Sequence, residues 1–373
     1  MKALQLKPSI YTFNTFAEFA SEFQLGPRDL VVTNKWLYDP FVAPLSSGTN
    51  VILEEKYGKG EPSDLMVDAM RADAAAFQYD RIIALGGGTI MDICKLLALK
   101  APDRTCQLFT GEAAAQKERE LVCIPTTCGT GSEVTNVSVM ALPELGTKKG
   151  LAVDANFADA AVVIPEVMLS LPPYVFATSS IDALVHATES YLSPKASAFT
   201  QMYSVRAMDL ILDGYLHMAN RDMSVDARNE RMADFALAAT CAGIAFGNAG
   251  CGAVHALSYA LGGVFHVPHG ESNYQLFTAV FKRYVQKQPE GGIAWLNAHL
   301  ANKLGCDVED VYDQLDALLN RLIAKKHLRE YGMTEAQIDE FTDMTIANLQ
   351  RLLANEYTEL TRDDIRGIYR SVW

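Results

Sequence analysis

Short runs of aliphatic and β-branched residues recur along the first half of the chain: DLVVTN (29–34), NVILEE (50–55), RIIALGGG (81–88), ELVCIPTT (120–127) and AAVVIPE (160–166). Each is too short for a helix and is bounded by turn-forming residues, so each reads as a strand. Between them, SDLMVDAMRADAAAF (63–77) and IMDICKLLALK (90–100) place apolar residues at helical spacing. Strands alternating with helices predict βαβ units and a mainly parallel sheet. After the proline break LSLPP (169–173) the period changes. SSIDALVHATESYL, FTQMYSVRAMDLILDGYL, RMADFALAATCAGIAF, VYDQLDALLNRLI and EAQIDEFTDMTIANLQRLL all carry helical spacing, with no strand-like run between them. The expected architecture is an α/β domain with a parallel sheet over 1–172, then an all-α domain over 173–373. A cleft is expected where two such domains meet. No repeat period or low-complexity tract interrupts the pattern.

Composition narrows the picture. A chain of 373 residues exceeds the size at which one core keeps growing, which favours two domains. Its net charge of −13 repels phosphodiester backbones and anionic lipid, so a small-molecule partner is expected and nucleic acid and membranes are not. The seven cysteines form no CxxC pair, which argues against a zinc ribbon or a disulfide framework and for small buried hydrophobes. The opening MKALQLKPSIYTFNTF lacks the apolar core and cleavage site of a secretory signal, so a cytoplasmic location is expected. Residues 235–270 contain no Asp, Glu, Lys or Arg, but GNAGCG (247–252) and LGG (261–263) break the run, so a buried helix pair is expected rather than a membrane span.

Two glycine-rich turns follow strands. In GGGTIMD (86–92), Gly86, Gly87 and Gly88 remove the side chains that would block a phosphate from the N–H groups of a helix start. Close packing of strand and helix explains the same glycines equally well. PTTCGTGSEVT (125–135) interleaves glycine with the hydroxyls of Thr126, Thr127, Thr130 and Ser132, which donate to phosphate or ribose oxygens. Together, at the carboxyl ends of parallel strands, the two turns point to a dinucleotide.

Of seven histidines, three fall within HALSYALGGVFHVPHG (255–270). Asp182 and His186 are spaced i, i+4 and share one helix face, where they either satisfy each other or hold an ion. His255 and His269 lie in the charge-free segment, with no acid nearby in sequence, so the economical partner is a divalent cation. One carboxylate and three imidazoles suit Fe(II) or Zn(II). His266 is expected to line the cleft or stand behind the ligands. His217, His299 and His327 are expected to be surface or packing residues.

The motifs GGGxxxDxxK, PTTxGTGSEVT, DALxHAxE and HAL followed by HVPHG, in this order and spread over the whole chain, resemble the iron-containing (group III) alcohol dehydrogenase family. That resemblance implies a dehydroquinate-synthase-like architecture and NAD-linked, metal-assisted hydride transfer, with Asp182, His186, His255 and His269 as metal ligands. It further implies that Asn34, Gly86, Gly87, Gly88, Thr89, Asp92, Thr126, Thr127, Ser132 and Lys149 lie at the coenzyme, and that the substrate is a small alcohol bearing a carboxylate. A homo-oligomer, a dimer, is the expected assembly. Two positions depart from the family pattern. Tyr259 stands where many relatives have a proton-relaying histidine, so Tyr259, His266 or water is expected to carry the proton, with Lys149 also assigned to the catalytic set. Asn34 stands where many relatives have an aspartate that contacts the adenosine ribose. Lys148, Arg206 and His266 are the candidates for the substrate carboxylate.

Overall fold

A computed structural model describes residues 2–45, 47–58 and 60–373; Met1, Ser46 and Lys59 lie outside the described residues. The chain divides into two compact units.

Residues 6–170 form an α/β unit. Its strands are β1 (Ser9–Thr12), β2 (Asp29–Thr33), β3 (Asn50–Leu53), β4 (Arg81–Gly86), β5 (Glu120–Pro125), β6 (Val137–Leu142), β7 (Thr147–Ala152) and β8 (Ala160–Val163). The helices are α1 (Phe16–Glu22), α2 (Lys35–Leu37), α3 (Asp64–Ala74), α4 (Gly88–Leu97) and α5 (Cys106–Thr110). Six strands make one parallel sheet in the order β1-β8-β5-β4-β2-β3. Strands β2, β4, β5 and β8 are almost wholly buried, which is why they read as continuous apolar runs. Leu30, Val32, Ile82, Ala84, Leu121 and Cys123 share one core with Met66, Met70, Ile93 and Leu96 from α3 and α4.

Two features have no counterpart in the sequence pattern. β1 (SIYT) is an exposed edge strand with no apolar run, and it exists because β8 offers it a ladder. β6 and β7 form an antiparallel hairpin closed at Gly146, whose φ of +59° suits glycine. The polar TKKGLA arm of that hairpin is mostly exposed.

Residues 171–373, with the N-terminal residues through Gln5, form the helical unit. Its helices are α6 (Pro173–Leu192), α7 (Ala198–Ala219), α8 (Val225–Glu230), α9 (Met232–Ala249), α10 (Ala253–Phe265), α11 (His269–Lys287), α12 (Gly292–Leu304), α13 (Val311–Leu319), α14 (Ala336–Asn348), α15 (Gln350–Leu353) and α16 (Arg362–Val372). α6 packs against α7, α9 and α11 and is buried along most of its length. A helix enclosed on all sides must find partners for every polar side chain it carries, and that demand organises the site below. The charge-free segment is the helix pair α9 and α10, broken at Gly250 with φ +82°. α9 is long and apolar enough to cross a membrane, yet 67% of it is buried inside the protein. The seven cysteines form no disulfide, and five of them are buried.

Candidate active site

Asp182, His186 and Glu189 project from one face of α6, His255 from the first turn of α10, and His269 opens α11. Asp182 Oδ1 lies 3.9 Å from His186 Nε2, 3.7 Å from His255 Nε2 and 3.8 Å from His269 Nε2. The four ligand atoms all fall within 4.8 Å of one another. Donors of about 2.1 Å reach around one tetrahedral ion stand roughly 3.4 Å apart, so this donor set fits a divalent metal with little adjustment. At 3.9 Å, Asp182 and His186 do not hydrogen-bond to each other, and the simpler reading of an isolated Asp–His pair falls away. The Asp182, His186 and His255 side chains are 6–7% exposed, whereas His269 is 55% exposed, so the cluster opens on the His269 side.

His255 has no acid nearby in sequence, but the fold brings it one from 66 positions away. Glu189 Oε2 lies 2.6 Å from His255 Nδ1, and Glu189 Oε1 accepts the Val254 N–H at 2.6 Å. Glu189 is one turn beyond His186, so its place on the Asp182–His186 face was open to a spacing argument. It fixes the Nδ1–H tautomer and leaves the His255 Nε2 lone pair facing Asp182. Burial alone would lower the His255 pKa, but the Glu189 hydrogen bond and the charges of Glu189 and Asp182 together raise it. Burial alone would raise the Asp182 pKa, but His186, His269, His255 and an Asn273 hydrogen bond together lower it.

Neighbours lock the rings. His186 stacks on Phe246 and on His255, with centroids at 4.2 and 4.7 Å. Asn273 Nδ2 donates to Asp182 Oδ1 at 2.7 Å and lies 3.1 and 3.3 Å from Nε2 of His255 and His269. Gly270 permits the close approach of α11 to α6, since a Cβ there would sit 2.1 Å from the Thr178 carbonyl oxygen and 3.3 Å from Asp182 Cβ. Buried Glu271 accepts from Tyr174 and, at 2.6 Å, from Tyr331. The sequence reading missed Glu189, Asn273, Phe246 and Glu271.

Other nominated residues lie apart from the four. Tyr259 is one turn beyond His255 on α10 and 37% exposed. His266 caps α10 in the left-handed region at φ +55° and is exposed. Among the described residues neither makes a hydrogen bond to the cluster. Lys149 is exposed on the β6–β7 hairpin and donates to the Phe109 carbonyl at 3.3 Å, while Lys148 pairs with Glu61. Arg206 lines a separate cavity of about 510 Å³ with Tyr191, Met202 and Trp295. His217 pairs with Glu230, His299 with Asp209, and the His327 N–H with Glu330.

In the α/β unit the two glycine turns meet at the ends of β4 and β5. Gly86 is required by packing, because a Cβ there would lie 2.5 Å from Ile90 Cδ1. Gly87 caps α4 without any side-chain hydrogen bond, leaving the first N–H groups of this ten-residue helix open to an anion, with Gly88 and Thr89 in its first turn. Gly87 and Gly88 face Thr127 and Thr130, and Thr127 Oγ1 is buried without a hydrogen-bond partner. Thr126 is turned into the fold, its N–H bonded to the Gly86 carbonyl at 3.1 Å. Asp92 and Ser132 brace the second loop: Ser132 Oγ donates to Asp92 at 2.8 Å, and Asp92 accepts the Val139 N–H at 2.9 Å. Fully buried Lys95 pins the loops by donating to Ser132 Oγ at 2.6 Å, Val137 O at 2.7 Å and Thr135 Oγ1 at 3.2 Å. Asn34, at the end of β2, donates to Glu54 at 3.0 Å. The uncapped helix start and the unpartnered hydroxyl fit a diphosphate.

Comparison with known proteins gives a consistent picture. Residues 8–165 match the family described as iron-containing alcohol dehydrogenase, and 176–373 match its C-terminal region. The chain is 49% identical to 4-hydroxybutyrate dehydrogenase of Clostridium kluyveri, covering 100% of both chains. It is 31% identical to sulfoacetaldehyde reductase of Bilophila wadsworthia, covering 97% of this chain and 96% of that one. Among solved structures, sulfoacetaldehyde reductase from Bifidobacterium kashiwanohense in complex with NAD+ superposes with a TM-score of 0.86 at 25% identity, over 100% of this chain and 98% of that one.

Proposed function

The chain belongs to the iron-containing alcohol dehydrogenase family, and from that premise we propose that it catalyses the NAD-dependent, reversible oxidation of 4-hydroxybutyrate to succinate semialdehyde. The end-to-end identity of 49% to an enzyme of that name carries the reading. Similarity to a sulfoacetaldehyde reductase supports it, since that substrate is also a short aldehyde with an anionic group at its far end. Asp182, His186, His255 and His269 would hold the iron, and Gly87, Gly88, Thr89 and Thr127 the coenzyme diphosphate. When bound, the metal supplies Lewis acidity at the substrate oxygen and the nicotinamide exchanges the hydride.

The chain's own residues orient and insulate this chemistry. Glu189 holds His255 in the tautomer that presents Nε2, and Phe246 and Asn273 keep the imidazoles and Asp182 in place. The exposed flank at His269 leaves room for substrate. We assign proton exchange with solvent to Tyr259, His266 or water, and the far carboxylate to Lys148 or His266; Arg206, in its separate cavity, is set aside. The working assembly is taken to be a homodimer in the cytoplasm.

One assay decides the main point: succinate semialdehyde with NADH, before and after metal removal and readdition of Fe(II) or Zn(II). Turnover that depends on metal, with 1-butanol a far poorer substrate than 4-hydroxybutyrate in the reverse direction, supports the reading. Preference for 1-butanol or a diol would replace it with a simpler alcohol dehydrogenase. His269→Ala is expected to abolish metal retention and turnover with little change in fold.

A further inference from the structure

β2 and β3 are parallel neighbours with Thr33 opposite Leu53, so the residues that follow, Asn34 and Glu54, stand side by side at the carboxyl edge of the sheet. Asn34 Nδ2 donates to Glu54 Oε2 at 3.0 Å. Next to them, Glu55 accepts the Lys35 N–H at 2.9 Å, and the Lys35 ammonium is committed to Asp39 at 2.8 Å. This corner is therefore acidic, and the lysines next to it in sequence, Lys35 and Lys56, already pair with Asp39 and Asp73.

In doubly wound sheets the strand beside the phosphate-binding turn ends at the adenosine ribose, where an acid accepts from the 2′-hydroxyl and repels a 2′-phosphate. Here the glycine turn follows β4, and its neighbour β2 ends in the neutral Asn34. We infer that Glu54, brought from the adjacent strand and oriented by Asn34, is the residue that selects NAD over NADP in this chain. The inference rests on the coenzyme reading above and adds the residue that discriminates. Burial raises the Glu54 pKa, the Asn34 hydrogen bond opposes that by favouring the carboxylate, and Glu55 raises it further. Glu54 is half-buried, so solvent screens it less than it screens the exposed Glu55.

The test is binding of NADH and NADPH to the full-length protein, followed by fluorescence titration, with circular dichroism to establish folding. Glu54→Gln is expected to tighten NADPH about ten- to a hundredfold relative to NADH, from the loss of one carboxylate beside a 2′-phosphate. Asn34→Asp added to Glu54→Gln is expected to restore the discrimination by returning an acid to the end of β2. An unchanged NADPH to NADH ratio in folded Glu54→Gln overturns the inference, as does an equal shift in Glu55→Gln. Should Glu54→Gln not fold, Asn34→Ala reads the same contact, and an unchanged ratio there overturns it too. If the wild-type protein binds neither coenzyme, the proposed function fails first; if it binds NADH and the ratios do not move, only the role of Glu54 fails.

Discussion

Glu189 Oε2 and His255 Nδ1 stand 2.6 Å apart, joining α6 to α10 behind a cluster whose other members face them from α6 and α11. Both side chains are nearly inaccessible, so the contact acts at low dielectric and holds the ring in one orientation. A carboxylate behind a ligating imidazole raises its basicity and fixes its tautomer, and losing it commonly costs 10- to 100-fold in metal affinity. Glu189→Gln should therefore weaken Fe(II) or Zn(II) binding by about that factor with the helix content unchanged. A chelator-competition titration matching wild type would remove Glu189 from the site.

Gly270 is the point where α11 comes closest to α6. Gly270→Ala should force the helices apart, costing about 1–3 kcal/mol of stability and displacing His269 from Asp182. Gly263→Ala, in α10 with open space around it, should be neutral or slightly stabilising. Metal content after dialysis, read alongside thermal unfolding, separates the two; normal metal retention in Gly270→Ala would contradict the packing argument.

Lys95→Met removes a fully buried cation that three oxygen acceptors and Asp92, at 3.6 Å, depend on. Breaking such a network costs about 3–5 kcal/mol, and the second glycine loop should loosen with it. Expected outcomes are a lower unfolding midpoint for the α/β unit and at least tenfold weaker NADH binding by fluorescence. Wild-type affinity for NADH would show that Lys95 supports the fold without shaping the loops.

Glu356 supplies a pH signature away from the cluster. Burial pushes its pKa up to about 7, while the Leu360 N–H opposes the rise. The folded state then binds a proton more tightly than the unfolded state, so stability falls as pH rises from about 4.5 towards about 7. Glu356→Gln should match wild type near pH 4 and gain about 1 kcal/mol at pH 8, a figure discounted for partial solvation. Thermal midpoints at the two pH values check this, and an equal midpoint at pH 8 counts against it.

What the sequence determined by itself is local. The strands β2, β3, β4, β5 and β8 and the helices α6, α7, α9, α10, α13 and α14 are legible because apolar period reports burial directly, and glycine reports where backbone must approach backbone. The DxxxH spacing was legible for the same reason, since i and i+4 share a helix face, and Glu189 at i+7 could have been read with it. β1 and β7 were not legible, because exposed strands carry no apolar signature and owe their form to the strand beside them, and β6 (VSVMAL) was not, because apolar residues on both faces and Ser138 on the buried one leave no clean alternation. Only the tertiary structure decided that His255 faces Glu189 across 66 positions of sequence, that Asn273 reaches Asp182, and that Glu54 lies against Asn34. Periodicity reveals which face of an element turns inward; which residue meets it there depends on how elements distant in sequence pack, and that geometry exists only once the chain has folded.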